Sequence, residues 1–498
     1  MENVLLGVLY IFMLSKGLYG DHCHAKLICV LGIICLVLQA LKLRLPKAIR
    51  KYVRNEADIL PFYGCVLFPT ILFIDDFEFS HVHLTVLISI ATVLTLTVMC
   101  KMRLVLKLPL CLLIVITFVV CLNKCKFYVL PKYTDEWRVI SVSLLAFILY
   151  AFFFIQMITC LESFSVGECV LLCQMITSLC LFHSSNMTQK TIDLMDISLF
   201  ISKTGLFLIF FSMFCFKFCR SSLSRTMVFY SIVIFVILLL AVTYTQWLVQ
   251  CMIYGMNFLV SNYPRRLYLL FVWIAVLCGC IAYVVIRSKK GKATTAERKL
   301  FHVFILLVYI PGITYDVPLL FLCSIFACVA LVLVAVIQTF QIEPAGECLQ
   351  MHLDMFRGKQ DTGKLVLTPL YLLIGMTFPL WMSCIKQPQL LADPTSLPPI
   401  ASYSGIISVG IGDAVASIVG SRYGTLKFPK RRKTVEGTLA SILAQVLFVY
   451  ALSLSGCIDN GSVNIIVSII AAAFLEAYTN EIDNFVVPVV MYFLLDVM

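Results

Sequence analysis

The feature that most limits what this chain can fold into is a nearly unbroken succession of apolar stretches, separated by short polar or basic interruptions. A backbone exposed to lipid must close its hydrogen bonds within its own segment, so a run of about 20 apolar residues becomes a helix. Such runs fall at approximately 4–19, 26–41, 59–74, 82–100, 108–122, 139–159, 167–183, 197–216, 227–249, 267–286, 301–313, 317–337, 366–385, 402–420, 436–456, 463–479 and 485–497. The expected fold class is therefore all-α, a polytopic integral membrane protein with roughly 15–17 transmembrane helices. With 61% hydrophobic and 13% charged residues and a mean hydropathy of +0.99, the composition excludes an ordinary soluble domain. The opening MENVLLGVLY carries an acid where a secretory signal carries basic residues, so the first span is expected to stay as an anchor.

The 22 cysteines are scattered through the apolar runs, often four apart as in Cys121/Cys125, Cys169/Cys173 and Cys215/Cys219. At that spacing they share a helix face and read as small apolar packing residues rather than a disulfide framework. The Asp21-His22-Cys23-His24 cluster has a spacing that suits no common metal site.

Basic residues concentrate at 42–54, 101–107, 287–299 and 427–433, and the span count puts all four loops on one side. The positive-inside rule makes that side cytosolic. The two sequons, at Asn186 and Asn460, both fall on the opposite side. Topology and attraction to anionic membrane lipids thus account for the net charge of +11 without a nucleic-acid partner. Nothing in the sequence names a protein partner. Loops up to about residue 285 are chemically plain, so the chain divides into an N-terminal polytopic region, 1–286, and a C-terminal region, 287–498, that carries the chemistry.

Four constellations in the second region face the same side. In "GIGDAVASIVGSRYG", Asp413 lies about two turns inside its span, where an unpaired carboxylate costs a few kcal/mol and must meet something cationic. Gly405, Gly410, Gly412, Gly420 and Gly424 around it allow close approach of a backbone or ligand. The loop that follows carries Lys427, Lys430, Arg431, Arg432 and Lys433 and runs through Thr434, Glu436, Gly437 and Thr438 into the next span. Cations beside a helix N-terminus suit a polyphosphate. No Walker A loop and no protein-kinase motif set occurs. In "AERKLFHVF", Arg298 and His302 lie four apart on one helical face, with Lys299 adjacent, fit to grip phosphate and shuttle a proton. The segment "DMFRGKQDTGKLVLTPLYLL" offers the carboxylates Asp354 and Asp361. Finally, "LEAYTNEIDNFVVP" places Glu476, Asn480, Asp483 and Asn484 on one polar face if it is helical throughout. Together these are the parts for nucleotide phosphoryl or nucleotidyl transfer, with a hard divalent cation bridging carboxylates and phosphates. A lipid-carrier transporter or scaffold that uses the basic groove only for binding is the non-enzymatic alternative.

The blocks "SVGIGDAVASIVGSRYG", "KRRKTVEGTLAS", "RKLFH", "LVLTPLYLLIGMTFPLW" and "EAYTNEIDNFVVP" resemble, in this order along residues 297–490 apart from the first two, segments of the dolichol kinases, the 410–438 blocks resembling their CTP-binding segment. The first 285 residues resemble that family only in being polytopic. The resemblance implies a multi-pass enzyme of the endoplasmic reticulum membrane that phosphorylates dolichol from CTP at the cytosolic face, making the carrier for protein glycosylation. It further implies a divalent metal, Mg2+ or Ca2+, held by Asp413 and Asp483, with Arg298 and His302 catalytic and Gly410 through Thr438 forming the CTP site. CTP-dependent kinases of other lipid alcohols and phosphatidate cytidylyltransferases are similar alternatives. The chain departs from the family at Phe428-Pro429-Lys430, where members commonly read Trp-Pro-Gly, and at Pro369, where a His is frequent.

Overall fold

The computed structural model describes residues 136–157, 163–181, 192–288, 293–357 and, with breaks at 364, 394–395, 430, 432, 459–462 and 480–481, residues 363–497. The five expected spans before residue 123, the Asp21–His24 cluster and both sequons lie outside these residues. The described residues form helices and no β-strand, in agreement with the all-α reading. Among the described residues, eight helices are long and apolar enough to cross a membrane, and Gly167–Leu181 and Asn464–Tyr478 are shorter apolar helices. Cys173, Cys328 and Cys384 are free thiols buried within helices, as expected for packing residues.

The chain divides into two compact units, residues 1–183 with 362–364, and residues 184–361 with 365–498. In the first, helices α1 (Glu136–Gln156) and α2 (Val166–Leu181) pack together. The second begins with α3 (Leu194–Phe216), α4 (Ser222–Thr243), α5 (Thr245–Ser261) and α6 (Arg265–Ser288). Here the expected span 227–249 is corrected. The helix closes at Tyr244 and α5 begins one residue later, filling most of a stretch expected to be loop. No Pro or Gly marks that junction, so hydropathy alone had merged two helices.

Helix α7 (Thr295–Tyr315) starts at a capping box. The Thr294 side chain accepts from the Glu297 backbone N–H, and Glu297 accepts from the Thr294 N–H at 2.6 Å. Glu297 also takes the Arg287 guanidinium at 2.6 Å, which fixes the start of α7 to the end of α6. At the other end, Asp316 caps α8 (Val317–Phe340), accepting from the Leu319 N–H at 3.0 Å, and pairs with Arg266 at 2.7 Å. Both partners are buried, so removing either would leave an uncompensated charge. The short α9 (Gly346–Asp354) precedes α10 (Thr368–Lys386).

The core of this unit is the packing of α10 against the last helix, α14 (Asp483–Val497). Gly375 makes that approach possible, because a Cβ there would lie 1.9 Å from the Asn484 carbonyl. Between them in sequence run a 3-10 turn (Ile400–Tyr403), a π-helical segment (Ile406–Asp413), α11 (Ala414–Tyr423), α12 (Val435–Leu454) and α13 (Val463–Tyr478). Helices α11 and α12 form a tight antiparallel pair around the basic loop, and the π segment packs on α7, α12 and α14.

Candidate active site

The acidic residue inside the membrane finds its cation. Lys299 ion-pairs with Asp413, and His302 Nε2 approaches the same carboxylate oxygen at 3.7 Å. Lys299 and His302 are three apart, so they share one face of α7. His302 Nδ1 lies 3.1 Å from the Val409 carbonyl, which can only accept; Nδ1 therefore carries the proton and Nε2 is turned toward Asp413. Val409 and Asp413 both belong to the π segment. Such wide turns re-aim side chains and free carbonyls from the regular helical ladder.

Lys433 closes the other side. Its ammonium bonds Glu476 and Asp483 at 2.9 Å each. Burial works against that charge, but the two carboxylates outweigh it and raise the Lys433 pKa above the usual lysine value. The carboxylates of Asp413, Glu476 and Asp483 have oxygens within 4.8 Å of one another. Three hard oxygen donors at that separation fit an oxygen-loving divalent cation such as Mg2+ or Ca2+.

The basic loop is held by its own backbone. Lys427 and Thr434 form an antiparallel bridge, with the Phe428 N–H donating to the Lys433 carbonyl at 3.1 Å and Val435 to Leu426 at 2.8 Å. Glu436 Oε1 accepts from the Thr425 and Leu426 N–H groups at 2.9 Å each and from the Thr425 hydroxyl at 2.5 Å. Thr434 is the N-cap of α12, accepting from the Gly437 N–H at 3.3 Å.

The sequence-selected residues thus sort into three groups. Asp413, His302, Lys299, Lys433, Glu476 and Asp483 converge. Lys299, not Arg298, reaches the carboxylate; Arg298 is its immediate neighbour on α7, half-buried, and consecutive helical residues do not face the same way. The glycines serve close helix approach. Gly410 lies against Leu306, Gly412 against Gln445, and Gly420, Gly424 and Gly437 against Thr434. Thr438 bonds the Thr434 carbonyl at 3.2 Å. Lys427 joins the group through its backbone bridge, and Arg431 N–H closes a turn on Phe428 at 3.0 Å. Lys430, Arg432, Asp361 and Asn480 lie outside the described residues, and Asp354 pairs with Arg357 at 3.0 Å.

The expected single polar face of 476–484 is corrected. Helix α13 ends at Tyr478 and α14 starts at Asp483, so Glu476 and Asp483 come from two helices at a corner. Asn484 is buried in the first turn of α14, beside Gly375 rather than in the cluster. Periodicity does not separate Lys299 from Arg298, which stand three and four residues before His302, and Glu476 meets Asp483 through the corner between α13 and α14 rather than through helical spacing.

A family profile described as dolichol kinase matches residues 132–372, which include Arg298, Lys299 and His302 and end before Asp413. The likeness therefore reaches well in front of residue 285, contrary to the sequence expectation. The chain is 33% identical to "Dolichol kinase" of Mus musculus over 329 residues, 62% of this chain and 60% of the relative. It is 37% identical to "Dolichol kinase" of Homo sapiens over 245 residues, 46% of this chain and 45% of that one. "Dolichol kinase sec59" of Schizosaccharomyces pombe is 25% identical over 356 residues, 67% of this chain and 68% of the relative. The matched stretch spans about half to three fifths of the length of the first two relatives. No solved structure matches. Over these stretches the chain is similar to dolichol kinases of animals and yeast, on a helical membrane frame.

Proposed function

We propose that this chain transfers the terminal phosphate of CTP to dolichol, at the cytosolic face of the endoplasmic reticulum membrane. The observation that carries the reading is the convergence of Lys299, His302, Asp413, Lys433, Glu476 and Asp483 from separate segments onto one patch. Phosphoryl transfer needs charge neutralisation and positioning more than covalent help from the protein. Asp413, Asp483 and Glu476 would hold a divalent cation, which supplies neutralisation of phosphate charge when bound. Lys433 exchanges its two carboxylate partners for phosphate oxygens, helped by the cations of the loop and the capped start of α12. Lys299 balances Asp413 at the membrane boundary, and His302 Nε2 faces the place where the alcohol loses its proton. The chemistry is assigned to residues 287–498, with 1–286 as membrane frame.

The test is transfer of label. The full chain in liposomes containing dolichol, given CTP labelled on its terminal phosphate and Mg2+ or Ca2+, is expected to yield labelled lipid and CDP. Release of pyrophosphate with a cytidylylated lipid would make it a nucleotidyltransferase. Absence of any labelled lipid would leave binding or transport as the function.

A further inference from the structure

Beside the charged cluster, on the membrane side of it, α12 carries a second set of polar groups that the charge chemistry does not use. Thr438, Ser441 and Gln445 are all buried and spaced three and four residues apart, so they line one face of the helix. Gln445 lies against Gly412, the residue before Asp413. A Cβ at 412 would stand 2.6 Å from Gln445 Nε2. The amide donates from Nε2 to the Ser441 hydroxyl at 2.9 Å, while its oxygen, Oε1, is buried and has no hydrogen-bond partner. Gln445 is 1% exposed. A buried amide oxygen in an apolar helix bundle is costly to leave unmatched, and such groups are normally satisfied by protein, water or ligand.

We propose that Gln445 Oε1 is the acceptor for the hydroxyl of the lipid alcohol, making Gln445 a substrate-binding residue. This rests on the phosphoryl-transfer reading above and names how the acceptor is recognised. The placement decides the ligand class. The groups run from cationic at Lys433, just before α12, to neutral at Gln445 within it, which lies one turn farther from the basic loop than Ser441. A neutral amide oxygen left without a partner suits a neutral donor headgroup and offers nothing to an anion. A site built to hydrogen-bond a hydroxyl also rejects an analogue lacking that hydrogen, because the buried acceptor is then left unpaired.

The experiment uses the full chain in lipid nanodiscs with a photoreactive polyprenyl alcohol as probe, competed by dolichol or by dolichyl methyl ether. The wild type is expected to prefer the alcohol about tenfold, the size of one neutral hydrogen bond. Q445M, or Q445L as a second variant of similar volume, should lose that preference while the KM for CTP stays unchanged. S441A, which leaves Oε1 in place, should keep it. Equal competition by the two lipids in the wild type, or an undiminished preference in both Gln445 variants, overturns the proposal. An intact alcohol preference in a chain that transfers no phosphate would instead retire the kinase reading and leave this one standing.

Discussion

Replacing Lys433 with Met should move two observables in opposite directions. The ammonium is the only described group bonded to both Glu476 and Asp483, and each contact is 2.9 Å long. With it, the cluster counts three carboxylates against Lys299 and Lys433; without it, three carboxylates face Lys299 alone. Two like charges 4.8 Å apart repel by about 3.5 kcal/mol at an effective dielectric of 20, reduced further here because the Lys433 side chain is 34% exposed. A bound divalent cation would relieve that repulsion. K433M should therefore bind Mn2+ more tightly than the wild type when no nucleotide is present, read by titration of the ion's electron-spin signal. CTP should bind worse, because a charge-assisted contact worth roughly 1.5–3 kcal/mol is lost, which is roughly 10- to 150-fold in KM. An unchanged KM for CTP would remove Lys433 from the nucleotide site. Weaker Mn2+ binding would refute the electrostatic account of the cluster.

Other outcomes follow from the same geometry. D413N should abolish phosphoryl transfer at normal expression; full activity at matched protein level would make Asp413 a packing residue. K299M, which strands a buried carboxylate, should lower thermal stability by about 3–5 kcal/mol, and the K299M/D413N double variant should recover most of it in a melting experiment. The raised Lys433 pKa means its pairs are fully formed below the unfolded lysine value of about 10.4 and are lost only as pH rises through a still higher one. The activity ratio of K433M to wild type should therefore stay flat from pH 6 to 9, and a ratio that bends within that window would count against a permanently charged Lys433. G437A should cost about 1–3 kcal/mol, since its Cβ would stand 2.7 Å from the Ala416 carbonyl, whereas G255A, with nothing within 4 Å, should melt like the wild type.

Much of the site was legible because its parts are local. An aspartate within an apolar run, a basic loop before Thr434 and a carboxylate pair near 480 each announce themselves in sequence, and alternation of spans puts them on one side. What could not be read was which neighbour turns inward. Arg298 and Lys299 are equivalent to periodicity until Asp413 is placed, and Asp413 is aimed by a π segment that ordinary 3.6-residue counting does not foresee. The glycines were read as room for a backbone or a ligand, and which of the two could not be told until the structure set Leu306, Gln445 and Thr434 against them. The junction at Tyr244 was hidden for the opposite reason, since both helices are apolar enough to read as one.

The clasp that Glu436 places on Thr425 and Leu426 has a thermodynamic consequence. A loop of five cations would ordinarily be a writhing, self-repelling tether, and any ligand that ordered it would surrender part of its binding energy to lost backbone freedom. Here the loop is already tied into a hairpin, so that entropy is settled when the protein folds. Under the proposed function, a nucleotide would bind a loop whose ends are already fixed, so its selectivity could come from shape as well as from charge.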